Sequence, residues 1–348
     1  MSLMSFNCLQ FALFALASIC TEHTCASSPV VIRSDDELRA LPADRIRDGE
    51  LLLKGERITD ESLRHLNSLP TAQHVTFQST SITDAGLRNS APLRLKSVVL
   101  RNNSKISGGG LLDALSPDNL ECLSITAAEQ KGINIVDKLV KFKKLHSLRM
   151  SPSPGDAERL GDLKGLKVLS VSGPEVTDIT MSAIASLNGL TELNLHCTEV
   201  TDEGIAAIRS LNSLENLVIF HAKVSENGLT AIGTKEGIKS LTLWSTSGLS
   251  DSGYLRQFPN LHSLVLHNAV TDEDLSNISQ LKSLRNLSVA SNGITDAGVR
   301  HLLRIKSIAR IRIEGTPRLS ASILHRIKER KIQMDACSAD EPRSLLAD

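Results

Sequence analysis

Short runs of alternating apolar and polar residues recur along most of the chain at nearly constant spacing. In "LNLHCTEVTDEGIAAIRSLNSLENL", residues 193–217, a leucine opens one run, and the final leucine of the same stretch opens the next. The opening apolar position recurs at intervals of 21 to 25 residues. Its occurrences are Leu51, Val75, Val98, Leu123, Leu148, Leu169, Leu193, Leu217, Leu241, Leu264, Leu287, Ile311 and Ile332. Self-similarity at a fixed period of this length predicts a repeat architecture.

Each repeat predicts a strand, a turn and a short helix. Its first residues alternate between apolar and polar, as in "LNL" and "IRI", which is typical of a strand with one buried face. After the strand comes a hydroxyl residue followed by an acid, as in "VTD", and then apolar residues at helical spacing such as Ile205 and Ile208. Thr201 can accept a hydrogen bond from the first helical turn, where Asp202 and Glu203 complement the helix dipole. Strands joined through helices run parallel, so successive repeats are expected to stack as a solenoid.

The pattern LxxLxLxxTxVTDxGLxxLxxL over residues 50–334 resembles the leucine-rich repeat superfamily. It is most similar to the cysteine-containing subclass of F-box proteins and to bacterial relatives with Thr in the cysteine's place. That place holds Thr80, Thr198, Thr246 and Thr316, with Asn103 and Asn292 as alternatives known from other subclasses. The resemblance implies an α/β leucine-rich repeat solenoid (horseshoe) of about 12 repeats, with a parallel β-sheet on the concave face and short helices on the convex face. For function it implies little beyond the usual task of such proteins, which is to bind another protein.

Residues 1–26 are predicted to be a signal peptide. They contain the uncharged apolar run "LQFALFALASIC", which is too short to span a bilayer and is followed by small residues. No Lys or Arg precedes the run, so the usual basic start is missing. Lipid attachment at Cys20 is disfavoured, because Ile19 stands where lipoprotein signals have Gly or Ala. The protein is therefore expected to be secreted or periplasmic.

The remaining chain is expected to form one solenoid with a cap and a tail. Residues 27–50 would cap it with an extra strand at "VVI" and a helix whose capping box is Ser34 with Glu37. Residues 51–334 would hold the repeats, in which "SGGG" and "SPSPGD" are expected to replace the usual turn and helix and either to bend the solenoid or to form a surface loop. Residues 335–348 are expected to be a disordered tail.

Composition narrows the possible functions. The chain has 39 basic and 39 acidic residues, which argues against a nucleic-acid footprint and against steering to a charged membrane. No GxSxG, HExxH, P-loop or dinucleotide-binding motif occurs in a suitable context, so we predict a protein that is not an enzyme and uses no cofactor. No stable membrane insertion is expected, and a monomer is predicted. The cysteines beyond the signal peptide are too few and scattered for a disulfide framework: Cys122, Cys197 and Cys337.

One column of strand positions carries candidate partner-binding residues. The position after the second buried anchor of each strand is expected to lie on the concave face. The candidates on four consecutive strands are His196, Phe220, Trp244 and His267, with the strand companions Asn194, Val218, Thr242 and Val265. Trp244 is the only tryptophan, and the small or polar companions are expected to leave the aromatic rings exposed. This composition is typical of a binding hot spot, although the same rings would stabilise the sheet if they only stacked on each other.

Three other patterns are interpreted as structural. Cys197 and His221 share a column on neighbouring strands, but no third ligand is evident, and His196 and His267 lie too far apart to share an ion, so no metal site is predicted. The helix dipole accounts for an acid column that could otherwise suggest calcium: Asp60, Asp84, Asp178, Asp202, Glu226, Asp251, Asp272 and Asp296. Glycines two residues later indicate close packing of each helix on its neighbour: Gly86, Gly204, Gly228, Gly253 and Gly298.

The sequence therefore predicts a non-catalytic protein-interaction module that binds a partner on the concave face. The alternative, taken from the F-box members of the family, is a substrate-recognition subunit of a ubiquitin ligase. That function needs an F-box before the repeats, and "LRALPADRIRDGELLL" offers only an "LP" and too little length. Secretion would discriminate between the two functions, because a ligase subunit stays in the cytosol.

Overall fold

The computed structural model describes residues 28–46, 49–125, 134–244, 252–291, 293–315 and 319–337. The predicted signal peptide and most of the predicted tail lie outside the described residues, as do Thr246, Asp251, Asn292 and Thr316. Contacts divide the chain into two compact units, residues 1–175 and 176–348. The boundary falls inside one repeat, between its strand and its helix, where the sequence has no linker composition to mark it.

The first unit alternates strands with short helices. Its strands are β1 Val30–Ile32, β2 Glu50–Lys54, β3 His74–Gln78, β4 Ser97–Arg101, β5 Cys122–Ser124, β6 Ser147–Met150 and β7 Val168–Ser172. Its α-helices are α1 Asp35–Arg39, α2 Glu61–Asn67, α3 Asp84–Asn89, α4 Gly108–Ala114, α5 Val136–Leu139 and α6 Pro154–Arg159, with 3-10 helices at Ala43–Arg45 and Leu160–Asp162. Each strand pairs in parallel with the next strand along the chain.

The second unit repeats the arrangement. Its strands are β8 Glu192–His196, β9 Asn216–Phe220, β10 Ser240–Trp244, β11 Ser263–Ala269, β12 Asn286–Ala290, β13 Arg310–Glu314 and β14 Gln333–Cys337. Its α-helices are α7 Asp178–Ile184, α8 Asp202–Ala206, α9 Glu226–Ala231, α10 Asp272–Ile278, α11 Asp296–Leu302 and α12 Ala321–Glu329, with 3-10 helices at Ala207–Ser210 and Ser252–Gln257. These strands also pair in parallel and in chain order.

The apolar anchors form the core that this pattern predicts. Leu217 pairs in register with Leu193 on one side and Leu241 on the other, and all three are 0% exposed. Alternate residues of each strand are buried against the helices, while the residues between them lie on the opposite face, which we call the strand face. The predicted α/β leucine-rich repeat solenoid with a parallel sheet is confirmed. Among the described residues, no helix is both long and apolar enough to cross a membrane.

The prediction that "SGGG" and "SPSPGD" replace the usual turn and helix is wrong, because each segment begins a helix. Ser107 accepts a hydrogen bond from the N–H of Gly110 at 3.0 Å and caps α4, so "SGGG" is a helix start. Ser153 accepts one from the N–H of Asp156 at 3.2 Å and caps α6, whose first turn contains the proline. A serine N-cap and an N-terminal proline favour helix initiation despite the poor helix propensity of glycine and proline.

The two ends of the repeats also differ in detail from the prediction. The extra strand is β1, and Ser34 accepts a hydrogen bond from the N–H of Glu37 at 3.2 Å at the start of α1. The Glu37 carboxylate accepts from the N–H of Arg33, at 2.7 Å, rather than from that of Ser34. At the other end, β14 continues to Cys337, so the ordered repeats extend past the predicted boundary at residue 334.

An aspartate at the start of several helices binds the following repeat. Asp202 accepts a hydrogen bond from the N–H of Ser225 at 2.7 Å and one from its hydroxyl at 2.5 Å. The same two bonds join Asp60 to Thr83, Asp84 to Ser107, Asp178 to Thr201, Asp272 to Thr295 and Asp296 to Ser320. The helix dipole is therefore only part of the reason for the acid column, since these six carboxylates also link adjacent repeats with charge-assisted bonds.

Glycines in the first turn of several helices leave room for the aspartate carboxylate of the preceding repeat. A Cβ atom at Gly204 would lie 2.1 Å from Oδ1 of Asp178, and one at Gly228 would lie 2.4 Å from Oδ1 of Asp202. Both distances are far below van der Waals contact. The close helix packing expected from the glycines is confirmed at Gly86, Gly204, Gly228 and Gly298, where the neighbour is the carboxylate that holds the repeats together.

Candidate functional site

Parallel register brings the predicted site residues together on the strand face of the second unit. Phe220 pairs with His196 on β8 and with Trp244 on β10, and Trp244 pairs with His267 on β11. We call these four side chains the aromatic row. The residues two positions earlier are also in register and form the companion row: Asn194, Val218, Thr242 and Val265.

The members of the aromatic row stack on one another. The ring centroids of Trp244 and His267 are 3.4 Å apart, with planes inclined by 12°. Phe220 and Trp244 are 5.4 Å apart and tilted by 32°, while His196 and Phe220 are 5.8 Å apart and tilted by 42°. His221 contacts Phe220 edge-on at 4.5 Å. Aromatic pairs at such separations contribute about 0.5–1.5 kcal/mol beyond the area that they bury.

The prediction that the rings project freely from the sheet is wrong for three of them. His196 is 8% exposed, Phe220 is 7% exposed, and the side chain of His267 is 8% exposed. Trp244 is half-buried, because neighbouring rings cover its faces. Neighbouring strands are only about 4.8 Å apart, so large side chains at one position cover each other. Stacking between Phe220 and Trp244, the alternative interpretation, is confirmed, and part of Trp244 remains exposed.

His267 lies where β11 departs from regular register. The pairing with β12 shifts after Leu266, so that Ala269 pairs with Ala290. Nδ1 of His267 then lies 3.6 Å from Oε2 of Glu314 on β13, two strands away. Ala290 lies on the intervening strand β12 and pairs with Glu314. Its small side chain leaves space for this contact. Sequence reasoning missed the contact because it assumed regular pairing throughout.

Burial and the nearby charge of Arg312 favour the neutral ring of His267. Burial lowers the pKa of His267 to about 4, and the positive charge of Arg312 acts in the same direction. Arg312 also binds the carboxylate of Glu314, with Nε 3.1 Å from Oε1. Burial raises the pKa of Glu314, although Arg312 partly opposes that shift. The approach of His267 to Glu314 is therefore a contact of a neutral imidazole, and a protonated ring is disfavoured.

The companion row combines polar and apolar groups. Asn194 is 3% exposed, and its amide donates a hydrogen bond to Glu192 at 2.8 Å. Val218, Thr242 and Val265 are half-buried on the next three strands. Together with the exposed part of Trp244 they make a shallow surface of small side chains beside one large aromatic ring. Such a surface can bind a protein segment by shape and apolar contact, and it offers no group of catalytic residues.

The potential metal ligands lie in and next to the aromatic row. Cys197 and His221 are exposed in consecutive turns, where each has a φ of 50°. His196 and His267 lie three strands apart, as their positions in the repeats predict. Within the described ranges, no three His, Cys, Asp or Glu residues are grouped so that they could hold a metal ion.

Sequence comparison identifies the repeat motif. A family model described as "Leucine Rich repeat" matches residues 188–208 and 280–303. The first match contains β8 and α8, and the second contains β12 and α11, so each covers one strand with its following helix. No curated protein matches the chain in sequence.

Several solved structures resemble the chain in fold. An internalin (InlF) from Listeria monocytogenes is 16% identical with a TM-score of 0.55, over 94% of this chain and 95% of the internalin. Internalin C2 from the same organism is 18% identical with a TM-score of 0.40, over 55% of this chain and 77% of internalin C2. The plant peptide hormone receptor RGFR1, solved in complex with RGF2, is 14% identical with a TM-score of 0.39, over 90% of this chain and 50% of the receptor. The similarity to the first internalin supports the repeat fold alone.

Proposed function

We propose that this leucine-rich repeat protein is a non-catalytic interaction module that binds a protein partner on the strand face of its second unit. The observation that carries the proposal is the position of Trp244. Its indole ring is stacked against His267 at 3.4 Å and flanked by Phe220 at 5.4 Å, yet the residue is only half-buried. The ring is therefore a fixed aromatic group at the centre of an otherwise small-residue surface.

A fixed tryptophan suits partner binding for energetic reasons. Immobilising a flexible side chain on binding costs about 0.5–1.5 kcal/mol, and the stack has already restricted this ring in the unbound protein. Tryptophan is also among the residues that most often dominate interface energies. The companion row lies beside it, so that a partner contacting the exposed part of Trp244 also covers Val218, Thr242 and Val265.

The choice of substitution matters for the test, because replacing Trp244 would also remove the stack. Thr242→Arg adds a large charged side chain on the strand face without removing any ring. Ile179→Arg is the matched control, since Ile179 is 64% exposed on α7 of the same unit and lies away from the strand face.

We expect Thr242→Arg to weaken binding of a partner captured from the source organism by at least about tenfold, because the added side chain blocks a close-packed interface centre. Ile179→Arg should bind as the unmodified protein does. Affinities would be measured with the purified partner, and far-UV circular dichroism would verify that both variants fold. Equal binding by all three proteins would place the interface elsewhere and contradict the proposal.

We further propose that the protein is exported to a secreted or periplasmic location and acts there as a monomer. Support comes from the apolar run and small residues within residues 1–26. Mass spectrometry of the protein purified from its source should give a chain that begins near residue 27. A chain that retains residues 1–26 inside the cytosol would contradict export.

A further inference from the structure

The chain is neutral as a whole but strongly basic near the end of its repeats. Residues 282–331 contain 12 Lys and Arg residues and three Asp and Glu residues, whereas the whole chain has 39 of each kind. Several of these bases are exposed on the side of the second unit where the strands begin. We call this group the cationic edge: Lys282, Arg285, Lys306, Arg310, Arg330 and Lys331.

Hydrogen bonds show that the cationic edge is continuous across β12, β13 and β14. The N–H of Arg310, at the start of β13, donates to the carbonyl of Arg285, next to the start of β12, at 3.0 Å. The guanidinium of Arg330 donates to the carbonyl of Ile305, the neighbour of Lys306, at 2.9 Å. Bases from three consecutive repeats therefore lie side by side, about one strand spacing apart, or ~4.8 Å.

The acids of the same region do not neutralise this edge. Asp296 and Glu314 pair instead with Arg300 and Arg312, at 3.7 and 3.1 Å, and Glu329 contacts the ring of His325 at 3.2 Å. Among the residues that the structure describes, no member of the cationic edge forms an ion pair with an acid. Clustered like charges repel one another, so an anionic partner would relieve a cost that the unbound protein bears.

Helix ends alone do not account for the cluster. Bases in the last helical turn complement the helix dipole, which explains Arg300 on α11 and Arg326 and Lys328 on α12. Lys306 and Arg310 lie beyond the end of α11, in the turn and at the start of β13, where the dipole provides little benefit. An ordinary solvated surface intersperses both signs of charge, and this one does not.

We propose that the cationic edge binds an acidic peptide segment, a run of Asp and Glu residues in a protein partner. This surface is separate from the aromatic row and does not depend on the function proposed for that row. Its bases follow the starts of three consecutive strands in a line, which suits an extended chain better than a small anion. Extended segments with an acidic motif are commonly recognised by clusters of basic side chains.

Two other polyanions fit the surface less well. Residues 282–331 contain no Phe, Tyr or Trp, and their two histidines, His301 and His325, are not part of the cationic edge. The edge therefore lacks the aromatic side chains on which unpaired bases stack. A bilayer surface would need apolar side chains to insert beside the charges. Leu324, on α12, is the only large hydrophobic residue exposed in the described part of this region.

A charge-reversal pair tests the proposal without removing structural contacts. Lys306→Glu with Lys331→Glu changes two exposed lysines of the edge and leaves Arg310 and Arg330, which hold neighbouring repeats, unchanged. Lys143→Glu with Lys144→Glu is the matched control, because it makes the same change in net charge at an exposed pair in the first unit.

The probe is a fluorescein-labelled polyglutamate peptide, and fluorescence anisotropy measures its binding at low and moderate salt. We expect the unmodified protein to bind with an affinity that falls as salt is added, and the edge variant to bind at least about tenfold more weakly. The control pair should stay within about twofold of the unmodified protein, because it changes the net charge equally and leaves every base of the cationic edge in place. Thr242→Arg should bind the peptide normally, which separates this site from the aromatic row.

Three results would overturn the proposal. The first is no salt-sensitive binding of polyglutamate by the unmodified protein. The second is an equal loss in the edge and control variants, which would mean that net charge alone governs the interaction. The third is tighter, edge-dependent binding of an oligonucleotide or of phosphatidylserine vesicles, which would assign the surface to a different class of partner.

Discussion

Gly110→Ala is expected to destabilise the first unit by about 3 kcal/mol, although the same change in an open helix stabilises it by up to about 1 kcal/mol. The reason is the carboxylate of Asp84. A Cβ atom at Gly110 would lie 2.2 Å from its Oδ1 and 2.6 Å from its Cγ. Relief of that clash would move the carboxylate away from the N–H and hydroxyl of Ser107, which it binds at 2.8 and 2.7 Å. Urea unfolding measures the change.

Two further variants distinguish this cause from a general intolerance of the glycine-rich helix start. Gly108→Ala lies in the same helix, but its Cβ atom would meet only flexible side-chain atoms at 3.4 Å or more, so it should be nearly neutral. Combining Gly110→Ala with Asp84→Ala should cost less than the sum of the single changes, because the three atoms nearest to the added Cβ are then absent. Strict additivity, or an equal loss for Gly108→Ala, would contradict the account.

Acidification is expected to destabilise the second unit through His267 by about 3 kcal/mol. The pKa of His267 is lowered from 6.5 to about 4 by burial and by Arg312, so between these pH values the unfolded chain binds a proton that the folded chain does not. Stability is therefore retained above pH ~6.5 and is lost as the pH falls towards ~4. The raised pKa of Glu314 acts in the opposite direction, since its contribution is lost as the pH rises.

Comparison with His267→Gln isolates the histidine, because the carboxylates titrate in both proteins. Trp244 is the only tryptophan and stacks on His267, so its fluorescence reports unfolding at the site itself. The stability difference between the unmodified protein and the variant should change steadily in favour of the variant from pH ~7 to pH ~4. A constant difference over that range, or an NMR titration of His267 near its ordinary pKa, would refute the buried neutral ring.

Local periodicity was sufficient to predict the fold. The interval between anchors such as Leu193 and Leu217 predicted their parallel pairing, and the structure places them in register. Helix propensity gave the wrong prediction at Ser107 and Ser153. The glycines and prolines that follow them favoured a bend or a loop, but the two serines cap the starts of α4 and α6. The hydrogen bonds that Ser225 donates to Asp202 join residues in successive repeats. The sequence pattern within a single repeat therefore did not predict them.

The candidate site was predictable in position but not in exposure. The repeat period placed His196, Phe220, Trp244 and His267 in one row, and the structure does so too. How far each ring is covered depends on its side-chain rotamer, which the repeat pattern does not specify. The contact of His267 with Glu314 depends on a register shift after Leu266, which no residue in the sequence signals.

Site-specific photo-crosslinking in the source organism tests the central claim most directly. A photoreactive amino acid at position 242 lies in the companion row, and the same amino acid at position 179 lies on the exposed helix side of the same unit. We predict a discrete adduct with a protein partner from position 242, at a yield well above that from position 179. No adduct from position 242, or equal yields from both positions, would contradict a partner-binding strand face.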